Sequence, residues 1–309
     1  MTNLIIFSTY HVGMVKSKIN FEWITVARET YSNWAVTLIL LVLGIRSYKI
    51  FLRENDKQFF WTRHQVLNHL VAKKFQFAGN GLKIYPQENK IEFPYLDKIL
   101  VFYGYQQNGW IYNEINKFEY DKLQFKGKFV IDVGANSGAT AIYFAMNGAK
   151  KVVAIEPMPK TYEYLVRNVK ENKLESAIEH VNVAVWKEEK NQTLEVNFDD
   201  VGLGARVGGI TRGTFTKSVP IMNLGTMIND LKESDIVIKM DCEGCEYVSL
   251  LNIRPDTLSK ISEIMMEYHN GWHHIFSFLE QNNFAVELLP GSQKLRGMIY
   301  AKNRIYGTF

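Results

Sequence analysis

The segment VIDVGANSGAT, residues 130–140, constrains the fold more than any other part of this chain. The run FVIDV has the mostly apolar composition of a short buried strand, and it stops at Gly134. Gly134 and Gly138 permit a tight turn and allow the backbone to approach a ligand closely. A second apolar run, KVVAIE, ends in Glu156, which stands 22 residues beyond Gly134. This order predicts two parallel strands joined through a glycine loop and a helix, with a ligand site where the strands end.

The same alternation of strand and helix continues along the chain. Helices are predicted over Thr140–Asn147 and Lys160–Asn172. Further strands are predicted for the runs HVNVAV, DIVIKMD, EIMMEY, FAVELLP and GMIYAK, of which the last two resemble a terminal hairpin. The fold class is therefore α/β: a Rossmann-like, doubly wound, mostly parallel sheet with a C-terminal antiparallel hairpin. We assign residues 119–309 to this domain and residues 1–118 to a smaller N-terminal α+β subdomain of a helix and β-hairpins.

One apolar segment in the N-terminal part requires a membrane test. Residues 34–45, WAVTLILLVLGI, are apolar apart from Thr37 and Gly44. A helix of this length is too short to span a bilayer, which takes about 20 residues. We therefore predict a buried helix. An interfacial helix that contacts a membrane, or an oligomer-forming helix as in a homo-oligomer, stays open as the alternative. Around it, YKIFLR with QFFWT and GLKIYP with KIEFPYL predict two hairpins, and RHQVLNHLVAK predicts a short amphipathic helix.

The acid in front of the glycine loop discriminates between two classes of cofactor. Dinucleotide sites use GxGxxG, so that pyrophosphate sits on the helix N-terminus, but here Asn136 replaces the second glycine. Asp132 would repel a pyrophosphate and would suit the α-ammonium group of a methionine moiety. Glu156 can accept hydrogen bonds from the two ribose hydroxyls. These residues favour S-adenosylmethionine (SAM) over NAD, and the alternative is a Rossmann-like domain with a degenerate pocket.

The segments VIDVGANSGAT, VVAIEP, VNVAV and IVIKMDCEGCEYVSLL, in this order, resemble the FkbM-type family of SAM-dependent methyltransferases. The resemblance covers about residues 129–270 and is strongest in D-V-G-A-N-x-G and K-x-D-x-E-G-x-E. It implies a cofactor site in which Glu156 binds the ribose and the turn from Asn182 to Ala184 packs against adenine. It also implies that the methionine end of SAM is lined by Asp132, Gly134, Ala135, Asn136 and Gly138, with Pro157 following the ribose acid.

The later strand ends carry the candidate catalytic residues. DIVIKMD places Asp241 at a strand end, with Glu243 two residues beyond, and Lys239 is expected to pair with a neighbouring acid. The resemblance places an E-x-H motif at the end of the next strand, so Glu267 and His269 are the acid/base candidates. Because the four acidic and imidazole groups match no standard ligand signature, we assign no metal. Glu246 is interpreted either as part of the site or as a charge complementing a helix dipole.

Three further features of the sequence bear on the partners, the cellular compartment and the ligand contacts of the protein. The net charge of +4 is too small to argue for a polyanionic partner. The two cysteines, Cys242 and Cys245, exclude a disulfide framework and favour a reducing, cytoplasmic compartment, with neither zinc nor redox use assigned. The glycine-rich stretch within residues 191–220 is interpreted as a functional lid with Arg206 and Arg212 facing an anionic group, or as a solvated hairpin.

Together these observations predict a SAM-dependent methyltransferase. The NPPY-type segment of amine and nucleobase N-methyltransferases is replaced by DCEG, residues 241–244, which favours oxygen as the acceptor atom. The expected substrate is a hydroxyl on a small molecule, a glycan or a lipid-linked acceptor. Two alternatives stay open: an RNA methyltransferase, which no RNA-binding signature supports, and a non-catalytic SAM-binding or assembly module.

Overall fold

The computed structural model describes residues 21–116, 120–187, 193–198, 206–207 and 215–307. The chain forms two compact units, residues 1–113 and 114–309. The boundary thus follows Asn113, whereas the sequence analysis placed it after residue 118.

The N-terminal unit combines helices with antiparallel strands. Its elements are α1 (Phe21–Thr30), α2 (Trp34–Val42), β1 (Ser47–Phe51), β2 (Gln58–Thr62), α3 (Arg63–Phe77), β3 (Lys83–Tyr85), β4 (Lys90–Tyr95), β5 (Lys98–Tyr103) and α4 (Ile111–Asn116), which runs into the second unit. β1 pairs with β2, and β3, β4 and β5 form a second antiparallel sheet, so both predicted hairpins are confirmed. Strand β5 was not predicted. α3 confirms the predicted helix, and it begins with a capping box between Thr62 and Gln65.

Helix α2 is only half buried, so the prediction of a buried helix is wrong for one of its faces. Thr37, Leu38 and Leu41 are buried in the core of the N-terminal unit. Val36 and Ile39 on the other face have more than half of their surface exposed, at 52% and 56%. Within the part of the chain that the structure describes, no helix has the length and apolar character needed to cross a bilayer.

The second unit is built on a seven-stranded sheet. Its elements are β6 (Phe129–Val133), α5 (Ala139–Met146), β7 (Lys151–Ile155), α6 (Pro159–Glu171), β8 (Ile178–Val181), β9 (Ala184–Trp186), β10 (Thr193–Phe198), β11 (Arg206–Val207), β12 (Phe215–Asn223), α7 (Leu224–Asp230), β13 (Ile236–Met240), α8 (Cys245–Leu250), α9 (Pro255–Leu258), β14 (Ile261–Tyr268), α10 (His273–Gln281), β15 (Phe284–Leu288) and β16 (Gly297–Asn303). The strand order is β15-β16-β14-β13-β6-β7-β8.

The five strands from β14 to β8 are parallel, and β16 and β15 add an antiparallel edge. All five residues of β13 and all eight of β14 are buried, as expected for parallel strands covered on both faces. Ile131, Val153, Ile238 and Ile264 from four neighbouring strands belong to one apolar core. The predicted fold class, a Rossmann-like and mostly parallel sheet with a terminal hairpin, is confirmed.

The predicted strand HVNVAV is wrong as a single element. The chain instead makes β8, at the edge of the large sheet, and β9, which belongs to a separate four-stranded sheet of order β11-β10-β12-β9. The break falls at Asn182, whose side-chain amide donates to the carbonyl oxygens of Glu156 and Pro157. These hydrogen bonds tie the chain to the turn after β7 and prevent the strand from continuing straight.

The glycine-rich stretch is described only in part. β10 pairs with β11 and β12 in antiparallel fashion, so the described parts of residues 191–220 are strands. Arg206 lies in β11, but its side chain and all of Arg212 fall outside the described residues. The proposed contact of these arginines with an anionic group stays a prediction.

The two cysteines form a disulfide between Cys242 and Cys245, with their Cα atoms 5.5 Å apart. The bond closes a loop of four residues at the end of β13 and joins no distant elements, so it is not a framework. The oxidised pair nevertheless differs from the expectation of thiols in a reducing compartment.

We expect Gly134→Ala to destabilise the protein far more than Gly127→Ala. Both glycines have positive φ, +78° and +74°, so alanine costs roughly 1–2 kcal/mol of conformational energy at either position. A Cβ at Gly134 would additionally overlap the carbonyl oxygen of Asp241, whereas no atom of the described residues lies within 4 Å of a Cβ at Gly127. The total loss at Gly134 should reach about 4 kcal/mol. Urea unfolding of both variants measures the difference, and equal losses would contradict the close approach of the two strand ends.

Candidate active site

The candidate site lies at the carboxyl ends of β6, β7, β13 and β14. The chain runs from β6 outward to β7 and β8 and then returns to β13 on the other side of β6. Strand order therefore reverses between β6 and β13, and ligands of doubly wound sheets bind in the crevice outside such a reversal. Most of the predicted cofactor residues lie at the ends of β6 and β7, Asn182 and Ala184 follow β8, and the predicted catalytic residues follow or end β13 and β14.

The glycine loop is held against the end of β7. The backbone N–H groups of Gly134 and Ala135 both donate to the carbonyl oxygen of Ile155, at 3.0 and 2.9 Å. Asn136 has a φ of +50°, and its side-chain oxygen accepts from the N–H of Ser137 at 2.7 Å. Gly138 begins α5 with a φ of +91°, and a Cβ there would press on Leu165 of α6. The loop thus presents backbone rather than side chains to the crevice.

Glu156 lies directly after β7 and is almost completely buried. Its Oε2 accepts from the N–H of Asn136 at 3.0 Å, and its Oε1 accepts from the N–H of Met158 at 2.9 Å. Burial raises the pKa of this carboxyl to about 7, although both hydrogen bonds and the charge of Lys239 lower it. Each carboxylate oxygen has two acceptor positions, so one on each remains for a ribose hydroxyl. The residue therefore fits the ribose of an adenosine-containing cofactor.

Asp132 is fully buried, and its charge is compensated within the protein. Its Oδ1 lies 3.0 Å from Nζ of Lys239, and its Oδ2 accepts from the hydroxyl of Thr140 at 2.5 Å. Nζ of Lys239 also donates to the carbonyl oxygen of Gly134 at 3.0 Å. The predicted pairing of Lys239 with an acid is confirmed. Lys239 already neutralises this carboxylate inside the protein, and the predicted contact of Asp132 with the ammonium group of SAM stays a prediction.

The remaining predicted cofactor residues lie beside Glu156. Pro157 follows it directly, and Asn182 holds the turn through its two amide hydrogen bonds. Ala184 begins β9 and is buried in a small apolar cluster with Met158, Val219 and Ile221. The part of the turn that the prediction places against adenine is therefore fixed in position, and its role toward adenine stays a prediction.

The structure brings the four predicted catalytic residues together, with the three acids placed around His269. Nε2 of His269 lies 3.5 Å from Glu243 Oε2, 3.9 Å from Asp241 Oδ1 and 4.0 Å from Glu267 Oε1. The His269 side chain is 4% exposed, whereas that of Asp241 is 38% exposed. The cluster thus has a buried imidazole at its base and an accessible carboxylate at its mouth.

Glu246 organises this cluster, and sequence reasoning had left its role undecided. The side chain is fully buried, and its Oε1 accepts from Nδ1–H of His269 at 2.9 Å. The same carboxylate accepts from the backbone N–H groups of Cys242 and Gly244, at 3.3 and 2.7 Å. It therefore fixes both the imidazole and the loop that carries Asp241 and Glu243. This places it within the site, beyond the alternative role of complementing a helix dipole.

Arg296 is a member of the site that sequence reasoning missed. Its Nε donates to Glu267 Oε1 at 2.5 Å, and its Nη2 lies 3.8 Å from Glu243 Oε1. It immediately precedes β16, whose first residue pairs with Tyr268 of β14. Only this antiparallel register, which no local pattern reveals, brings residue 296 beside residue 267.

The protonation of the two acid/base candidates differs from the prediction. Burial lowers the pKa of His269, but the hydrogen bond and charge of Glu246 and the charges of Glu243 and Asp241 outweigh it and raise the pKa to about 9. Burial and the charge of Asp241 raise the pKa of Glu267 to about 7, against the lowering effect of Arg296. In the protein without ligands, His269 is therefore protonated at neutral pH, and Glu267 titrates there.

Comparison with known proteins identifies the family of the chain. A doubly wound sheet with a glycine loop after its first strand and a buried acid after its second defines the Rossmann-like class that binds adenosine-containing cofactors. The chain belongs to the FkbM methyltransferase domain family, whose model matches residues 132–286, half of the sequence. It is accordingly a SAM-dependent methyltransferase, and the family predicted from the sequence motifs is confirmed.

Other similarities are weaker. An uncharacterized protein, 158B, of Sulfolobus islandicus rod-shaped virus 1 is 24% identical over 166 residues, which cover 53% of this chain and 75% of that protein. Among solved structures, ribosomal protein L11 methylase from Lactobacillus delbrueckii is 17% identical, with a TM-score of 0.36 and coverage of 66% of this chain and 82% of that one. M. capricolum TrmK, in complex with S-adenosylhomocysteine, is 12% identical, with a TM-score of 0.35 and coverage of 63% and 69%. Similarity at this level transfers no substrate.

The raised pKa of Glu156 predicts a pH-dependent stability. A carboxyl whose pKa rises from 4.5 to about 7 on folding contributes stability that is complete below pH 4.5 and is lost as pH rises to 7. The loss from this one group should be about 3 kcal/mol. Unfolding free energies of the wild type and Glu156→Gln, measured from pH 5 to about 8, should differ in slope. Glu163→Gln, an exposed position on α6, should keep the wild-type slope. If the unfolding free energies of the wild type and Glu156→Gln change in parallel with pH, the raised pKa of Glu156 is contradicted.

Proposed function

We propose that the protein transfers a methyl group from SAM to a hydroxyl oxygen on a small molecule, a glycan or a lipid-linked acceptor. The observation that carries this proposal is the meeting of two residue sets at one edge of the sheet. Residues after β6 and β7 suit a nucleoside cofactor, and residues at the ends of β13 and β14 supply acid/base groups. In the class of fold to which the chain belongs, cofactor and acceptor meet in this crevice.

On the cofactor side, the residues present fit SAM. Glu156 has one free acceptor position on each oxygen for the ribose hydroxyls, and Asn182 holds the turn proposed to contact adenine. The glycine loop lets the backbone come close to the methionine end. When bound, SAM supplies an electrophilic methyl group on a positively charged sulfur. Asp241, at the accessible mouth of the cluster, is the acid placed to face positive charge.

On the acceptor side, the cluster binds and aligns the hydroxyl and receives its proton. Transfer of a methyl group is an in-line displacement, so alignment provides much of the rate. Glu267 titrates near neutral pH and is the group suited to take the proton, while protonated His269 donates from Nε2 into the same space. This revises the prediction, in which His269 accepted the proton of the hydroxyl.

The choice of oxygen as the acceptor atom rests on the loop after β13. DCEG stands where amine and nucleobase N-methyltransferases carry an NPPY-type segment. Here the loop backbone donates two N–H groups to Glu246, and its carboxylates face His269. Such an arrangement suits the deprotonation of a hydroxyl, which is required for O-methylation.

Cofactor binding is the first test. Isothermal titration calorimetry of the full chain with SAM should show one site, and Glu156→Gln should weaken it roughly tenfold, because the amide offers one acceptor oxygen instead of two. Glu163→Gln should bind as the wild type does. Absence of heat up to millimolar SAM would refute the proposed function.

Methyl transfer is the second test. Mass spectrometry of cell extracts incubated with protein and SAM should identify a product heavier by one methyl group. With that acceptor, Asp241→Ala and His269→Ala should each lower kcat by roughly 100-fold or more, and His269→Ala should change SAM affinity only a few-fold. Asp256→Ala removes an exposed carboxylate that pairs with Arg254 and should be neutral. Unchanged turnover in both site variants would refute the assigned roles.

A further inference from the structure

We infer that Asp241, Glu267 and His269 form a binding site for one divalent metal cation, placed to hold the acceptor oxygen. These residues match no standard metal-ligand signature in the sequence. They come from two neighbouring strand ends, Asp241 after β13 and the other two at the end of β14. Asp241 is distant from Glu267 and His269 in the sequence. The parallel pairing of β13 with β14 brings the three residues together.

The three potential ligand atoms are already close together. One carboxylate oxygen from each acid and one imidazole nitrogen all lie within 4.8 Å of one another. Ligand atoms at about 2.1 Å from a common ion are separated by roughly 3–4 Å, so side-chain rotations would complete the site. Glu243 Oε2, at 3.5 Å from His269 Nε2, stands next to the same space.

His269 provides an independent sign of a ligand. Its side chain is 4% exposed, yet Nε2 has no hydrogen-bond partner among the residues that the structure describes, and it lies 3.5–4.0 Å from three carboxylates. Nδ1 is committed to Glu246, which is itself fully buried. A metal-binding histidine almost always donates its other ring N–H to a carboxylate or carbonyl, which fixes the tautomer and directs the free nitrogen at the ion. His269 has this arrangement, and metal binding would displace the proton from Nε2.

The charges of the cluster also call for a cation. Asp241, Glu243, Glu246 and Glu267 converge on one imidazole, and Arg296 pairs with Glu267 and approaches Glu243. Lys239, on β13 between the two halves of the site, is directed to Asp132 and Gly134. Negative groups therefore outnumber positive ones in a partly buried space, and a divalent cation would relieve their mutual repulsion.

The donor set indicates the kind of ion. Carboxylates suit Mg²⁺ and Mn²⁺, and an imidazole adds preference for Mn²⁺ or a later transition metal over Ca²⁺. Three protein ligands leave positions for substrate oxygens, as in catalytic rather than structural sites. This inference rests on the proposed function for its role, because a bound cation would orient the acceptor hydroxyl and make it more acidic.

A titration of the metal-stripped full chain with Mn²⁺, followed by the electron paramagnetic resonance signal of the free ion, tests the site. We expect saturation at one Mn²⁺ per chain and an affinity at least tenfold lower in Asp241→Asn, on the order of the loss seen when a metal site is perturbed. Asp256→Asn makes the same substitution at an exposed surface position and should bind as the wild type does. If Asp241→Asn fails to melt cooperatively, Glu267→Gln replaces it, because glutamine can still accept from Arg296.

Binding that does not saturate in the wild type, or equal affinity in the wild type and the folded site variant, would overturn the inference. SAM calorimetry in excess EDTA separates this failure from that of the proposed function. SAM binding without Mn²⁺ binding refutes the metal site alone. Mn²⁺ binding without SAM binding supports the site but refutes the proposed function. Loss of both SAM and Mn²⁺ binding refutes the metal site and the proposed function.

Discussion

The buried ion pair between Asp132 and Lys239 is the interaction on which the rest of this site depends. It joins β6 and β13, the two strands between which strand order reverses. The same lysine holds the carbonyl oxygen of Gly134, so one ammonium group connects the glycine loop to the neighbouring strand. Removing one partner of a buried pair typically costs 3–5 kcal/mol, because the other charge stays buried without compensation. The charges of Asp132 and Lys239 are thus both satisfied inside the protein.

A second carboxylate, Glu246, performs the corresponding task on the acceptor side. It accepts hydrogen bonds from two backbone N–H groups and from His269, and so holds the loop after β13 and the imidazole in place. Hydrogen bonds to a charged acceptor are about twice as strong as neutral ones. This support allows Asp241, Glu243 and Glu267 to stand close to one another despite their like charges. In both halves of the site, a fully buried acid positions the groups that are placed to meet ligands.

The sequence predicted those parts of the site that are encoded by neighbouring residues. The glycine loop, Glu156 and Asp241 could be predicted because each follows an apolar run that ends at a recognisable turn, and the E-x-H motif was implied by the resemblance to the family. HVNVAV was misread because its interruption at Asn182 depends on hydrogen bonds to a turn more than 20 residues earlier. The position of Arg296 in the site depends on the register between β14 and β16. The neutralisation of the Asp132 charge by Lys239 depends on the pairing of β6 with β13. Such contacts are set by tertiary packing, which a local pattern does not contain.

The position of β16 has a consequence for how the protein is made. This strand lies between β14 and β15 in the sheet but is the last of the three in the chain. Ribosomes add about 5–20 residues per second, so the nascent chain completes the glycine loop and Glu156 many seconds before residue 303 is synthesised. Until then β14 is an exposed edge strand, open to pairing with other chains. Glu267 also lacks its guanidinium partner during this interval. The part of the site at the end of β14 is therefore the last to be completed during synthesis.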